Sequence, residues 1–150
     1  MIQLAEDVFA VRTDPEQLDV DEAVMERLQR IHPSTLSAFE TNEGPAVWIL
    51  LLPTTTALMN AFLQHQISEK ELYLHTPDQG PYEVIYLCSA LVLEEYRNKG
   101  LACQLTCEGI NAIRNDHPIK ALLVWPFSEA GEALAQKVAS LTSLPLYKRE

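Results

Sequence analysis

Apolar positions along this chain fall into two kinds of run, and each kind predicts a different element. Continuous apolar stretches at 46–52, 82–93 and 121–125 read as strands buried on both faces. Elsewhere apolar residues recur every three or four positions, the period of a helix with one buried face. Val20, Ala23, Val24, Leu28 and Ile31 form the first such stripe, opened by Asp19 with Glu22 three residues on, a helix-start pattern. His32-Pro33 ends it, because proline disfavours the helical conformation of the residue before it. Leu58, Met59, Phe62, Leu63 and Ile67 form the second, predicting a helix to about Gln66 that Thr54, Thr55 and Thr56 could cap. Ala102, Leu105, Gly109, Ala112 and Ile113 form the third, closed by His117-Pro118. Leu134, Ala135, Val138 and Leu141 form the fourth, with Ser128 as N-cap and Glu129 and Glu132 in the first turn, where the helix dipole favours them. Residues 8–11 and 144–147 predict a short edge strand and a last strand. Glu43-Gly44-Pro45 and Pro77-Asp78-Gln79-Gly80-Pro81 are turn signals.

The predicted order is β, α, β, α, β, loop, α, β, α, β. From Tyr82 onward it contains two strand–helix–strand units, the signature of an α/β fold with a central sheet at least partly parallel. The 150 residues suit one domain, 1–150. With 47% apolar residues that domain can build a core without disulfide or metal staples.

Charge narrows the function classes. Eleven basic residues against 21 acidic ones leave a formal net charge of −10. Nucleic-acid binding and docking on an anionic membrane both draw on clustered cations, so neither is expected. A cationic substrate such as an amine is compatible with this balance. Cys88, Cys103 and Cys107 make an odd count that does not read as a disulfide framework. No basic segment precedes a signal-like apolar run, and no apolar stretch approaches the length of a membrane span, which points to the cytoplasm. Cys103 and Cys107 lie one helical turn apart without a second ligand pair nearby in sequence, so they read as small core residues and no metal is expected.

The informative segment is Leu91-Val92-Leu93-Glu94-Glu95-Tyr96-Arg97-Asn98-Lys99-Gly100-Leu101-Ala102. A buried strand runs into a short loop with one glycine and two cations, and a helix begins at once. The first turn of a helix leaves backbone N–H groups without partners, and the positive dipole end adds to their attraction for an anion. Gly100 would let the backbone approach that anion closely, and Ala102 keeps the first turn small. Arg97 and Lys99 supply charge in an otherwise acidic chain. A phosphate or pyrophosphate is the natural ligand. A turn glycine beside two solvated cations would carry the same letters. Neither the Walker spacing nor Gly-x-Gly-x-x-Gly is present.

Arg97-Asn98-Lys99-Gly100-Leu101-Ala102 resembles the Arg/Gln-x-x-Gly-x-Gly/Ala signature of the GNAT N-acyltransferases. The lead-in Val92-Leu93-Glu94-Glu95-Tyr96-Arg97 is similar to that family's strand end and Pro-Glu-Tyr-Arg turn, with Glu94 in place of proline. The resemblance covers about residues 82–138. It implies a GNAT-like mixed central sheet flanked by helices, with an atypical N-terminal half and a shortened C-terminal end that a second copy of the chain could complete as a homodimer. It implies acetyl-CoA as co-substrate, with backbone groups of Arg97, Asn98, Lys99, Gly100, Leu101 and Ala102 on the pyrophosphate and those of Leu91, Val92 and Leu93 along the pantetheine arm. Residues 125–128 would lie across the cleft, where the two strands splay apart around the thioester. The implied reaction is attack of an amine on that thioester, with the enzyme supplying orientation, an oxyanion donor and a base. Glu83, at the start of the long strand, is the first candidate for the base, and Glu43 the second. The family's thiolate-protonating tyrosine would fall near Ala135, and no tyrosine lies between Tyr96 and Tyr147; Ser128 is the substitute donor by position. That departure keeps open a GNAT-fold protein that binds CoA without catalysis, as a sensor or interaction module. A phosphate-ligand or protein-interaction domain without CoA is the third alternative.

Overall fold

The structure, a computed structural model, describes residues 6–7, 22–42, 44–92, 100–126 and 128–149. The elements in chain order are β1 (Glu6–Asp7), α1 (Glu22–Ile31), β2 (Leu36–Thr41), β3 (Gly44–Thr54), α2 (Thr56–Leu63), α3 (Glu69–His75), β4 (Val84–Val92), α4 (Leu101–Asp116), β5 (Ala121–Val124), α5 (Glu129–Thr142) and β6 (Leu146–Lys148). The predicted edge strand at 8–11 and the predicted helix start at Asp19 lie outside the described residues.

The sheet runs β2-β3-β4-β5-β6, with β1 added beside β4. It is mixed. β2, β3 and β4 form an antiparallel meander, whereas β4, β5 and β6 are parallel. The parallel half follows the two predicted strand–helix–strand units. The meander includes one strand that the hydrophobic pattern does not announce. β2 carries Ala38, Phe39 and Glu40 on exposed positions, so it lacks the continuous apolar run of its neighbours.

β3 and β4 are the centre of the core. Ile49, Leu51, Val84, Ile85, Tyr86, Leu87 and Ala90 are fully buried, as expected for strands covered on both faces. Pro53 is tolerated inside β3 because β2 pairs only as far as Leu50; a proline opposite Ile85 therefore interrupts no ladder on the β2 side.

The second predicted helix stops short of Gln66, and a helix that the periodicity does not announce follows it. α2 starts with the Thr55 hydroxyl accepting from the Leu58 amide at 3.3 Å, and it stops at Leu63. His65 adopts a left-handed φ of 61°. Ser68 and Glu71 then form a reciprocal capping box that starts α3. α1 ends where Pro33 predicts. The His32 ring bridges outward from there. Its Nδ1 accepts from the Ser34 amide at 3.0 Å, so Nε2 carries the proton and donates to Asp116 at 2.7 Å, joining α1 to the end of α4. α4 crosses the meander closely at Gly109, where an added Cβ would stand 2.9 Å from Leu51 Cδ1 and 3.3 Å from the Ser34 carbonyl oxygen.

Candidate functional site

β4 delivers its chain to the candidate loop, and its two edges differ. One edge pairs with β3 along the strand, with a register shift: Leu50 faces Ser89 and Leu51 faces Leu87. Cys88 is the extra residue, so β4 bulges there. A bulge bends its strand and re-aims the backbone. The other edge is divided. β5 occupies it from Val84 to Leu87, opposite Ala121 to Val124, and β1 occupies it at Leu91 and Val92. The parallel pairing of β4 with β5 thus stops at the bulge, and residues 88–90 span the interval before β1 begins. Beyond Val124 the chain turns away through Trp125 to the N-terminus of α5.

The helix end of the site begins at Gly100. Its φ of 75° and ψ of 4° are left-handed, the region glycine enters without penalty. Nothing lies within 4 Å of a Cβ built there, so the glycine is required by its dihedral rather than by crowding. α4 has no side-chain cap and no acidic residue in its first turn. By contrast α3 and α5 each have a capping serine and two glutamates in the first turn. Among the described residues, the α4 start thus has neither a capping side chain nor an acidic first turn. Gly100, Leu101 and Ala102 are described at this end. Leu93, Arg97, Asn98 and Lys99 lie outside the described residues, and Leu91 and Val92 are described by their backbone pairing.

The structure does not bring all the candidates together. Glu83 precedes β4, at the end of the strand away from Gly100, about 30 Å along nine residues at roughly 3.3 Å each. Its carboxylate accepts from the Thr56 amide at 3.3 Å, at the start of α2, and lies 3.6 Å from Lys120 Nζ. The Thr56 hydrogen bonds, with a smaller contribution from the Lys120 charge, hold the Glu83 carboxyl below the usual carboxylate range. Ser128 follows the C-terminal end of β5. Its hydroxyl accepts from the Gly131 amide at 3.0 Å, so it caps α5 as its position suggests. Ala135 is fully buried within the packed face of α5. Glu43 lies outside the described residues.

The three cysteines are free thiols. Burial, reinforced by the neighbouring Cys103 thiol, pushes the Cys107 thiol up to about 11, so it stays protonated at neutral pH. Among the described residues no three His, Cys, Asp or Glu side chains group to hold a metal. None of the described helices is long and apolar enough to cross a membrane.

One cluster has no counterpart in the sequence reading. Beside the bulge, the fully buried Tyr86 donates its hydroxyl proton to the equally buried Glu69 carboxylate. Phe62 packs edge-on against Tyr86 and Trp125, with ring centroids 5.3 and 5.8 Å apart. The Arg149 guanidinium, 4% exposed, lies over both the Phe62 and Trp125 rings at 4.4 Å from each. Its side chain donates to the carbonyls of Phe62 at 3.0 Å and Ile67 at 3.4 Å. The sequence carries no hint of it: Glu69 stands between Ser68 and Lys70, and Arg149 between Lys148 and Glu150, as charges on a solvated face would. Their meeting depends on tertiary structure, because α2, α3, β4, β5 and the segment after β6 converge there.

No family model, curated protein or solved structure matches this chain.

Proposed function

We propose that this protein is an acyl-CoA-dependent N-acyltransferase of the GNAT type, moving an acetyl group from acetyl-CoA to an amine. The observation that carries the reading is the juxtaposition at the end of β4. There a β-bulge at Cys88 coincides with the end of the β4–β5 pairing, and the strand leads to an uncapped helix start behind a left-handed glycine. The bulge re-aims backbone groups at the point where two parallel strands part, which suits an acyl thioester lying between them. The helix start suits the pyrophosphate of the same ligand.

In this reading the backbone from Gly100 to Ala102, with Arg97, Asn98 and Lys99 before it, holds the pyrophosphate. The re-aimed backbone of β4 near the bulge donates to the oxyanion that develops when an amine attacks the acyl carbon. The acyl–nitrogen bond forms as the carbon–sulfur bond breaks, and the proton that the nitrogen loses ends on the departing sulfur, so CoA leaves as its thiol. Glu83 serves the fold here, tying β4 to α2 and to Lys120, and is not assigned to the chemistry.

A second reading, CoA binding without transfer, is favoured by Ala135. The family's tyrosine would stand at that position, and here it is a fully buried alanine.

Thermal unfolding with and without acetyl-CoA, using ATP as the anion control, tests the shared part of both readings. A ligand at about 100 times its dissociation constant adds about 2.7 kcal/mol, a rise of about 5–10 °C for a domain of this size. The rise is expected with acetyl-CoA, absent with ATP and lost in Gly100→Asp, which places a carboxylate and a strained φ at the anion end. No shift at millimolar acetyl-CoA would remove both readings. Turnover of acetyl-CoA with a panel of amines separates the first from the second.

A further inference from the structure

Phe62 and Trp125 meet at 83°, and the slot they form for a cation is a corner of two near-perpendicular rings. Two aromatic faces sit 4.4 Å from the centre of one guanidinium, and two backbone carbonyls accept from its edge. Aromatic faces attract cations through their quadrupoles, and a guanidinium adds planar stacking that an ammonium lacks. Phe62 also packs on Tyr86, whose hydroxyl donates to the buried Glu69.

Its location ties it to the splay. Trp125 directly follows Val124, the last β5 residue paired with β4, and Tyr86 lies two residues before the bulge at Cys88. The occupant arrives from an edge. Arg149 follows β6, a three-residue strand paired only with β5 among the described residues, and its amide donates to the Val124 carbonyl at 2.9 Å.

We propose that this slot is the acceptor-recognition site, that it takes a small amine bearing a guanidinium group, and that Arg149 is its internal stand-in. The substrate guanidinium replaces the Arg149 guanidinium in the corner of the two rings, and its amine end extends toward the parted strands. The role of the amine end rests on the acyl-transfer reading. Occupation of the slot does not, so the two can fail separately.

The test uses the full chain without acetyl-CoA and agmatine, an aminobutylguanidine, as the probe. The Nε–H resonance of Arg149 is followed by NMR during an agmatine titration, with butylamine as the control lacking the guanidinium. Agmatine is expected to move that resonance to its solvent-exposed position, and butylamine is expected to leave it in place. Arg149→Ala should bind agmatine at least tenfold more tightly than the native chain, because the competitor is gone. If Arg149→Ala does not fold, Arg149→Lys, which keeps a cation but loses the fork, should show the same direction with a smaller factor. An Arg149 resonance unmoved at tens of millimolar agmatine, with no tightening in the foldable variant, overturns the proposal and leaves Arg149 as a staple of the fold. An acetyl-CoA thermal shift alongside that negative result would leave the acyl-transfer reading standing; slot binding without that shift would leave the slot and remove the transfer.

Discussion

Glu83 holds its negative charge where two donors meet it, and this gives a pH dependence with a definite sign. Its folded value lies below the ordinary 4.5, so the stabilisation is fully present above about 4.5 and is lost as pH falls through the lower folded value. Urea midpoints of the native chain and Glu83→Gln should therefore differ at pH 7 and converge in acid below the folded value. Equal midpoints at pH 7 would show that the Thr56 and Lys120 contacts contribute nothing. Gly109 makes a steric prediction. The nearest obstruction to an added methyl is a leucine tip at 2.9 Å, which can yield, but the Ser34 carbonyl at 3.3 Å is backbone and yields little. Gly109→Ala should cost about 1–3 kcal/mol, the usual range for overpacking, even though alanine is the better helix former. An unchanged or raised melting temperature would mean that α4 shifts freely on the meander. At this scale the sequence was informative wherever a residue acts on its own backbone. Ser128 and Thr55 cap helices as their positions suggested, and Gly100 stands directly before α4, where the loop placed it. The partners of Glu83 and Arg149 were not legible, because hydrogen bonds across tens of residues leave no periodic trace.

Elements were legible in proportion to how fully they are buried. β3, β4 and β5 are covered on both faces and appear as continuous apolar runs, so each was predicted within a few residues of its observed ends. β2 has an exposed face and a register shift between Phe39 and Glu40, and it left no such run. α3 was missed although Ser68 and Glu71 stand at capping-box spacing, because its seven residues are too few to show a helical stripe. β1 bears on the proposed function. It pairs with Leu91 and Val92, two of the residues whose backbone the GNAT resemblance assigns to the pantetheine arm. A backbone group cannot serve both partners at once, so β1 and the arm compete wherever they need the same groups. Asp7→Pro removes a backbone donor and disfavours strand pairing, and it should tighten acetyl-CoA binding measured by calorimetry. An unaltered dissociation constant would mean that the arm lies along residues 88–90 and leaves β1 in place.

The whole molecule divides into a half whose topology could be read and a half whose topology could not. From β4 onward, strand alternates with helix at short spacing, and the parallel order β4-β5-β6 follows from that alternation. Before β4, the antiparallel meander depends on a strand without an apolar signature and on two helices inserted between β3 and β4, neither of which a periodicity argument could join correctly. The candidate site falls on the boundary. Its helix start was visible as a loop with cations and a glycine, whereas the bulge and the divided edge exist only as pairings between distant strands. The divided edge also sets an order of assembly. The β2–β3 hairpin joins residues close in sequence, and β4 adds to it across α2 and α3, but the other edge of β4 waits for segments from far apart in the chain. Contacts of long sequence separation form slowly. During synthesis, therefore, a long and largely apolar strand passes through a stage with one side open, and that interval, rather than the finished fold, is where the chain is most exposed to mispairing with its own copies.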